Sequence, residues 1–492
     1  MTLCALAAGT DASPGAAGAP ARAHRPPNFL VILTDDQAQN SFRRRYMPQT
    51  FRKIVRPGTE FTDAIAAPPL CCPDRAGILT GQYPHNHGVF SNHPGYGDLR
   101  DPGNTLPVWL HKAGYRTGFV GKFLNGYNDL AGASPAPGFD RWFQFIKYPG
   151  YYGYAVSDDG RIVRYGHRRR AYSTDVLTRR ARQFLDRSSG SRRPFFLWLA
   201  YNAPHGVRST FPPCSSPASA LPPDRATYRS VSHVPLPRPP SFNEKDVSDK
   251  PQAIQALPRL DSDAIGRIRH IWRCGLGAVS SLDDGVDRVV AKLRHERQLR
   301  RTIVLYLSDN GFFFGEHRRP AGKGSVYEPV LNVPFAARVP GAYRHGRLAS
   351  RVHSVVSNQD VAPTLLDYAT RFGDPVEPCA GPGDCRRLDG RTLAPLLGGR
   401  GNWPRRRGVL AEIDMPGDNY HAIRSQRYVY SELSTGEREL YDLSVDPFEL
   451  RNVAGSPSYA QVQGRLGVRV SELSRCSGIE DRDPPTAAPF CE

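Results

Sequence analysis

Four apolar segments of the chain are each followed at once by polar residues that can do chemistry. These segments are residues 28–34, 116–120, 195–201 and 302–308. Near-continuous apolar runs of this length are typical of strands buried on both faces of a parallel sheet. Helical patterns at 174–185 and 271–293 lie between them. Strands that alternate with helices predict an α/β fold, with helices covering both faces of a mostly parallel sheet.

The polar residues after these strands form a candidate site. They are Asp35 and Asp36 after the first run, Lys122 after the second, His205 after the third, and Asp309 and Asn310 after the fourth. Ligands of open α/β sheets bind beyond the carboxyl ends of the strands. We therefore expect these side chains to meet at one edge of the sheet.

The segment Cys71-Cys72-Pro73-Asp74-Arg75 predicts the start of a helix. Pro73 suits the first helical turn, where its missing N–H costs nothing. Cys71 is then expected at the helix N-terminus, where free N–H groups and the helix dipole favour an anion. The forked guanidinium of Arg75 is suited to a tetrahedral oxyanion.

Together with Leu79-Thr80-Gly81 and residues 83–87, this segment resembles the sulfatase family of the alkaline-phosphatase-like superfamily. The resemblance runs from about residue 28 to 452, through Asp35-Asp36, Gly121-Lys122, Ala203-Pro204-His205, residues 308–311, Gly322-Lys323, 360–364 and 440–452. The likeness is to the N-acetylglucosamine-6-sulfatase and arylsulfatase-like branch. It implies a three-layer, mostly parallel sheet of the alkaline-phosphatase-like type, with a smaller C-terminal α+β domain.

The resemblance also implies a nucleophile and its chemistry. In this family a separate formylglycine-generating enzyme oxidises the cysteine that corresponds to Cys71 to formylglycine, an aldehyde that hydrates. One hydroxyl of the hydrate attacks sulfur and releases the alcohol, and return to the aldehyde expels sulfate. Arg75, Lys122, His205 and Lys323 match sulfate-binding and proton-transfer positions, with His205 or Lys323 as the proton donor to the leaving alcohol.

A divalent cation is expected at the same place. Asp35, Asp36, Asp309 and Asn310 offer hard oxygen ligands, and the side chain at position 71 is expected at the edge of the ion. An oxygen-rich ligand set favours Ca²⁺, with Mg²⁺ as second choice.

Three positions depart from the family pattern. Asp74 stands where a small residue is usual, Leu124 where a histidine is frequent, and Asn332 where a basic residue is common. Neighbouring residues on a helix do not share a face. Asp74 is therefore expected to point aside from the sulfate, toward a backbone N–H or a basic side chain, while Arg75 faces it.

The domain organisation is expected to have three parts. Residues 1–26 are rich in Ala, Gly and Pro and predict a flexible tail, residues 27–385 a catalytic domain, and residues 386–492 a smaller α+β domain. The short apolar stretch 3–8 lacks a basic start, so it is not a complete signal peptide but could be the remnant of one. No apolar run approaches the roughly 18 residues of a membrane span.

The cysteines favour a secreted or periplasmic location. Nine are present, and eight remain when Cys71 is set aside as catalytic. The spacing of Cys379 from Cys385 and of Cys476 from Cys491 suits disulfides in an oxidising compartment, with free buried thiols as the alternative.

The formal net charge of +18 has two readings. It reflects either an arginine-rich surface or a basic field that attracts an anionic substrate. No nucleic-acid-binding motif accompanies it, so nucleic acid is not an expected partner.

The leading hypothesis is a hydrolase of sulfate monoesters, either aryl sulfates or sulfated sugars. The alternatives are a phosphonate or phosphate ester hydrolase of the same superfamily, and a catalytically silent sulfatase-like protein that binds glycans.

Overall fold

The computed structural model describes residues 25–207, 214–398, 403–406, 408–414, 419–480 and 482–492. In these ranges the strands are β1 (Asn28–Thr34), β2 (Thr59–Phe61), β3 (Ala64–Ile65), β4 (Arg116–Gly121), β5 (Arg141–Phe145), β6 (Ala155–Asp158), β7 (Arg161–Arg164), β8 (Phe195–Ala200), β9 (Thr302–Ser308), β10 (Phe335–Arg338), β11 (Arg351–Val352), β12 (Val356–Ser357), β13 (Cys379–Gly381), β14 (Asp384–Cys385), β15 (Val409–Ile413), β16 (Tyr420–Arg424), β17 (Tyr428–Leu433) and β18 (Arg438–Asp442).

The helices in the same ranges alternate with the strands of the first two thirds of the chain. They are α1 (Pro48–Thr50), α2 (Cys71–Thr80), α3 (Pro84–His87), α4 (Leu106–Lys112), α5 (Tyr127–Ala131), α6 (Ser173–Ser189), α7 (Arg225–Val231), α8 (Gln252–Gln255), α9 (Ser262–His295), α10 (Glu328–Leu331), α11 (Val361–Phe372) and α12 (Ala460–Leu473).

A ten-stranded sheet in the order β11-β2-β10-β9-β1-β8-β4-β5-β6-β7 forms the centre of the molecule. The five strands β9, β1, β8, β4 and β5 pair in parallel, and antiparallel pairs flank them on both sides. All four apolar runs predicted as strands lie in this parallel centre. The predicted mostly parallel α/β fold is therefore confirmed.

Helices cover both faces of this sheet, which gives three layers. On β1, Phe29 and Val31 pack with residues of α2, α4 and α11, whereas Leu30 and Ile32 pack with residues of α6 and α9. Successive residues of a strand point to opposite faces, so a strand buried on both sides must be apolar throughout. Each fully buried Leu or Ile side chain stabilises the folded state by roughly 1.5–3 kcal/mol, so β1 is most stable at the centre of the sheet, where both of its faces are covered.

Helix α9 is longer than the predicted pattern at 271–293. It begins at Ser262, where the side chain of Asp261 accepts a hydrogen bond from the backbone N–H of Ala264. Within it, the buried carboxylate of Asp283 accepts hydrogen bonds from the backbone N–H groups of Gln49 and Thr50 and so caps α1. Helix α9 therefore holds the loop that follows β1 against the sheet.

A four-stranded antiparallel sheet, β15-β16-β17-β18, forms a smaller unit near the C-terminus. Helix α12 packs on β16 and β17. This sheet agrees with the predicted smaller C-terminal domain. The N-terminal tail expected over residues 1–26 lies, up to residue 24, outside the described residues.

Three disulfides join described cysteines. Cys379–Cys385 and Cys476–Cys491 form as predicted, and Cys214–Cys274 is a third that the sequence did not reveal. Cys71 and Cys72 are the free cysteines of the described ranges. Among the helices of these ranges, none combines the length and apolar character that crossing a membrane requires.

Candidate active site

The carboxyl ends of four parallel strands bring the predicted polar residues together. Asp35 and Asp36 follow β1, Asp309 and Asn310 follow β9, His205 follows β8 by a few residues, and Lys122 follows β4. Because β1 lies between β8 and β9, with β4 beyond β8, the ends of these strands are neighbours.

Ligand atoms of several of these side chains lie close together. One atom each from Asp35, Asp36, Cys71 and His205 lies within 4.8 Å of the others. The amide of Asn310 donates to Oδ1 of Asp36 at 2.7 Å, and the backbone N–H of Asp36 donates to Oδ1 of Asp309 at 3.2 Å. The ends of β1 and β9 are thus joined directly by hydrogen bonds.

Helix α2 places position 71 in this cluster. Cys71 is its first residue, Pro73 lies in its first turn as predicted, and Gly81 ends it in the left-handed conformation, at φ 68°. Every residue from Cys71 to Thr80 is buried. The Cys71 thiol lies 3.5 Å from Oδ1 of Asp35, at the end of the helix where backbone N–H groups are free.

Arg75 lies one turn further along α2 and binds two strand ends. Its Nε and Nη2 atoms each lie 2.8 Å from Oδ2 of Asp309, and Nη2 lies 3.4 Å from Oδ2 of Asp35. It also donates to the carbonyl oxygen of Lys122. The guanidinium is fully buried, and the two carboxylates raise its pKa above the ordinary value in spite of that burial.

Two lysines and a histidine complete the cluster. Nζ of Lys122 lies 2.6 Å from Oδ2 of Asp35, and Nζ of Lys323 lies 2.6 Å from Sγ of Cys71 and also contacts Asp36. Nε2 of His205 lies 3.7 Å from Oδ2 of Asp36. All five residues expected to be catalytic are therefore within one cluster, together with the four expected oxygen ligands.

Burial and charge act in opposite directions on these groups. Burial raises the pKa of the Cys71 thiol to about 12. Burial also opposes ionisation of Asp35, but Lys122, His205, Arg75 and Lys323 hold its pKa below the ordinary value. For Lys323, burial disfavours the charge, and the carboxylate of Asp36 nevertheless raises its pKa well above the ordinary range. Mutual pairing therefore favours the charged forms of Asp35 and Lys323 against the effect of burial, whereas burial and the neighbouring Asp35 raise the pKa of Asp309.

The donor set fits a hard divalent cation. Oδ1 of Asn310 is buried and has no hydrogen-bond partner among the described residues, beside the carboxylate of Asp36. Buried amide oxygens are normally paired, so an unpaired one next to carboxylates indicates a ligand. Carboxylate and amide oxygens are the ligands that Ca²⁺ and Mg²⁺ prefer.

Asp74 was expected to point aside from the sulfate, toward a backbone N–H or a basic side chain, and its side-chain partner is an amide that this expectation did not include. Its carboxyl is fully buried, and Oδ2 accepts a hydrogen bond from Nδ2 of Asn358 at 2.8 Å. The same Nδ2 donates to the carbonyl oxygen of Ser308 at 2.9 Å. Burial raises the pKa of Asp74 well above the ordinary value. Sequence reasoning missed Asn358, whose only signal is its place just before the matched segment at 360–364.

Comparison with known proteins agrees with this arrangement. The sequence profile of the family described as Sulfatase matches residues 27–370, and that described as N-sulphoglucosamine sulphohydrolase, C-terminal, matches residues 315–476. An arylsulfatase of Volvox carteri is 32% identical over 517 aligned residues, which cover 94% of this chain and 77% of the relative. An N-acetylglucosamine-6-sulfatase of Capra hircus is 30% identical over 96% of this chain and 87% of its own.

Solved structures share the fold. One, described as bound to its substrate D-glucosamine-2-N,6-O-disulfate, superposes with a TM-score of 0.73 at 24% identity, over 91% of this chain and 97% of its own. A phosphonate monoester hydrolase of Agrobacterium radiobacter superposes with a TM-score of 0.65 at 21% identity, over 90% and 95%. Both of these sequence relatives are named sulfatases. This chain is a sulfuric ester hydrolase and belongs to the sulfatase family.

Proposed function

We propose that this sulfatase cleaves sulfate monoesters of aryl alcohols or sugars with a formylglycine made from Cys71 and a divalent cation, Ca²⁺ before Mg²⁺. The observation that carries the proposal is the setting of Cys71. It begins a buried helix and lies between the ammonium of Lys323, at 2.6 Å, and the carboxylate of Asp35, at 3.5 Å. A formylglycine-generating enzyme is the maturation partner this requires.

Asp35, Asp36, Asp309 and Asn310 would hold the cation, with the side chain at position 71 at its edge. When bound, the cation would supply Lewis acidity. Formylglycine, as its hydrate, would supply one hydroxyl as the nucleophile, and loss of the proton from its second hydroxyl would let the aldehyde re-form and expel sulfate.

The positive side chains around position 71 bind the sulfate group and stabilise its developing charge. Lys122 and Lys323 each contact a carboxylate of the cluster, and Arg75 holds two of them, so all three cations are fixed before substrate arrives. Preorganised charge of this kind in a buried site is usually the largest contribution to catalysis.

The proton for the leaving alcohol comes from Lys323 or His205. The ammonium of Lys323 contacts Cys71, so it lies next to the reacting position. Burial lowers the pKa of His205, whose Nδ1 lies 2.6 Å from the carbonyl oxygen of Gly206. That contact suits a neutral ring with its proton on Nδ1 and none on Nε2, so Lys323 is the better placed donor, and His205 would donate only when its ring carries both protons.

Substrate class, compartment and domain division extend the proposal. Relatives named N-acetylglucosamine-6-sulfatase and arylsulfatase support a sulfated sugar or an aryl sulfate. Three disulfides and relatives named extracellular sulfatases support a secreted or periplasmic location. We propose residues 27–385 as the catalytic domain and 386–492 as the smaller domain.

The test is turnover of a chromogenic aryl sulfate and the matching aryl phosphate, after co-expression with a formylglycine-generating enzyme. We expect preference for the sulfate, and a peptide mass that shows formylglycine at position 71. Cys71→Ala should abolish turnover, whereas Cys72→Ala should keep a measurable fraction, because the thiol of Cys72 lies 3.9 Å from the carbonyl oxygen of Asn125 and outside the group of ligand atoms that includes Cys71. Preference for phosphate would favour the phosphate ester hydrolase. No turnover by fully modified protein would favour the silent glycan-binding protein.

A further inference from the structure

A groove of about 460 Å³ lies between the loop that follows β1 and the helices α7 and α9. We call it the arginine groove; its walls include Arg45, Tyr46, Ser230, His233, Leu276 and Ser280. None of the described residues that line it is acidic. A cavity with cationic and hydroxyl groups and without carboxylates selects an anionic ligand that also carries hydroxyl groups.

Arg45 lines the groove, and the two arginines that precede it in the chain, Arg43 and Arg44, are exposed like Arg45 itself. Within the described part of the chain none of them forms an ion pair. Nη1 of Arg43 donates to the carbonyl of Phe42, and the guanidinium of Arg45 lies 4.6 Å above the ring of Tyr46. Arg45 is thus held by the ring while its N–H groups stay available to a ligand.

A second run of three arginines, Arg168-Arg169-Arg170, differs in this respect. Arg169 forms ion pairs with Asp175 at 2.6 Å and with Asp224 at 3.3 Å. The positive charge of this run is therefore partly neutralised by two carboxylates, whereas no described acidic residue pairs with the three arginines at 43–45.

The groove adjoins the catalytic cluster. Arg45 follows Asp36 by nine residues, so even a fully extended chain would separate their Cα atoms by no more than about 32 Å. Leu276 lines both the groove and a narrow cavity that reaches Asp36, and Trp272, which also lines that cavity, packs edge-on against Tyr46. A single narrow cavity therefore connects the groove to the catalytic cluster at Asp36.

We propose that the arginine groove binds a second sulfate-bearing part of a sulfated oligosaccharide whose scissile ester lies at Cys71. The inference rests on the proposed function and narrows its substrate to a chain with more than one sulfate. Arg45, which lines the groove, would bind a sulfate through paired N–H groups, with the exposed Arg44 next to it in the chain adding positive charge, and Ser230, Ser280 and His233 would bind sugar hydroxyls.

The test compares two double variants with the same loss of charge, Arg44→Ser/Arg45→Ser and Arg168→Ser/Arg170→Ser. Binding of a fluorescent heparin octasaccharide is measured in a Cys71→Ala background, so that nothing is hydrolysed. We expect the groove variant to bind the octasaccharide about tenfold more weakly. The slope of log Kd against the logarithm of the salt concentration should fall by about two, since each cation–anion contact releases about one counterion. The control variant should bind within about twofold of the parent, because two exposed charges away from the bound ligand each contribute little.

Equal weakening by both variants, or equal binding of a desulfated octasaccharide, would overturn the inference. The inference would also be overturned if single-stranded DNA bound as tightly as the octasaccharide and lost as much affinity in the groove variant. The ligand of the groove would then be a nucleic acid. With Cys71 restored, the ratio of kcat/KM for the octasaccharide to that for an aryl sulfate should also fall in the groove variant. Selective loss of octasaccharide binding in a protein that turns over no sulfate ester would support the groove and overturn the proposed function.

Discussion

The ammonium nitrogen of Lys323 lies 2.6 Å from the sulfur of Cys71, although 252 residues separate them in the chain. Lys323 lies on the loop that follows β9, and Cys71 begins α2. The same ammonium also contacts Asp36. A fixed positive charge thus lies directly beside the atom that the proposed chemistry replaces with oxygen.

This contact predicts a large effect of Lys323→Ala on turnover. We expect kcat/KM for an aryl sulfate to fall about 10²- to 10³-fold, as when one preorganised charge is removed from other buried sites. The matched control is Lys245→Ala, which removes an exposed lysine and should leave activity within about twofold. Thermal unfolding and the extent of formylglycine formation are measured on both. A Lys323→Ala enzyme with near-normal kcat/KM would show that the contact has no catalytic role.

The sequence predicted the strand ends well because their signal is local. Each apolar run and the polar residues behind it are contiguous, and parallel pairing forces the ends of neighbouring strands together. Asp35, His205 and Asp309 could therefore be placed at one edge without knowledge of any contact. The helix that begins at Cys71 could also be predicted from a short stretch of sequence, because Pro73 marks its first turn.

Other features depend on pairings that no local signal specifies. The disulfide Cys214–Cys274 joins residues 60 apart, and Cys214 lies in a stretch rich in proline and serine that suggested only a surface segment. The hydrogen bond from Asn358 to Asp74 spans 284 residues. Arg75 was expected to face sulfate, and its direct contacts with Asp309 and Asp35 became visible only in the structure.

The unpaired Oδ1 of Asn310 predicts that a cation stabilises the fold. Addition of Ca²⁺ at about 100 times its dissociation constant should stabilise the metal-free protein by about 2.7 kcal/mol. Asn310→Ala should weaken this Ca²⁺-dependent shift of the unfolding temperature, and Mg²⁺ should give a smaller shift in the wild type. Asp129→Asn, which alters an exposed carboxylate, should leave the shift unchanged. If Ca²⁺ raised the unfolding temperature of the wild type and of both variants equally, the ion would bind at a site that does not include Asn310.

The three disulfides predict a graded loss of stability. In the loop-entropy account, opening Cys214–Cys274 removes about 4 kcal/mol, because it closes 60 residues, and opening Cys379–Cys385 removes about 2 kcal/mol, because it closes six. Double serine variants of each pair, compared by chemical denaturation, give the two losses. Thiol titration of the denatured, unreduced protein should find these six cysteines blocked. Six free thiols would contradict both the bonds and an oxidising compartment.

The buried carboxyl of Asp74 predicts a specific dependence of stability on pH. Burial raises its pKa well above the ordinary value, so the folded protein binds its proton more tightly than the unfolded chain does. Its contribution to stability is fully present below the unfolded pKa of about 3.9 and is lost as pH rises through the folded pKa. Asp74→Asn keeps an acceptor for Asn358 without the charge. The free energy of unfolding of Asp74→Asn, relative to that of the wild type, should therefore increase as the pH rises from the unfolded to the folded pKa of Asp74.

Two further variants separate this charge effect from the hydrogen bond. Asp74→Ala removes the acceptor of the Asn358 amide and should destabilise the fold by about 1–3 kcal/mol at low pH, where the carboxyl is neutral. Asp129→Asn changes an exposed carboxylate and should show no trend with pH. Denaturation of the four proteins in the same buffers between about pH 5 and 8 provides the comparison, and the titrations they share cancel in the differences. If Asp74→Asn and wild type differed by a constant amount over this range, Asp74 would be ionised in the folded state, and its carboxylate would add a negative charge behind Arg75.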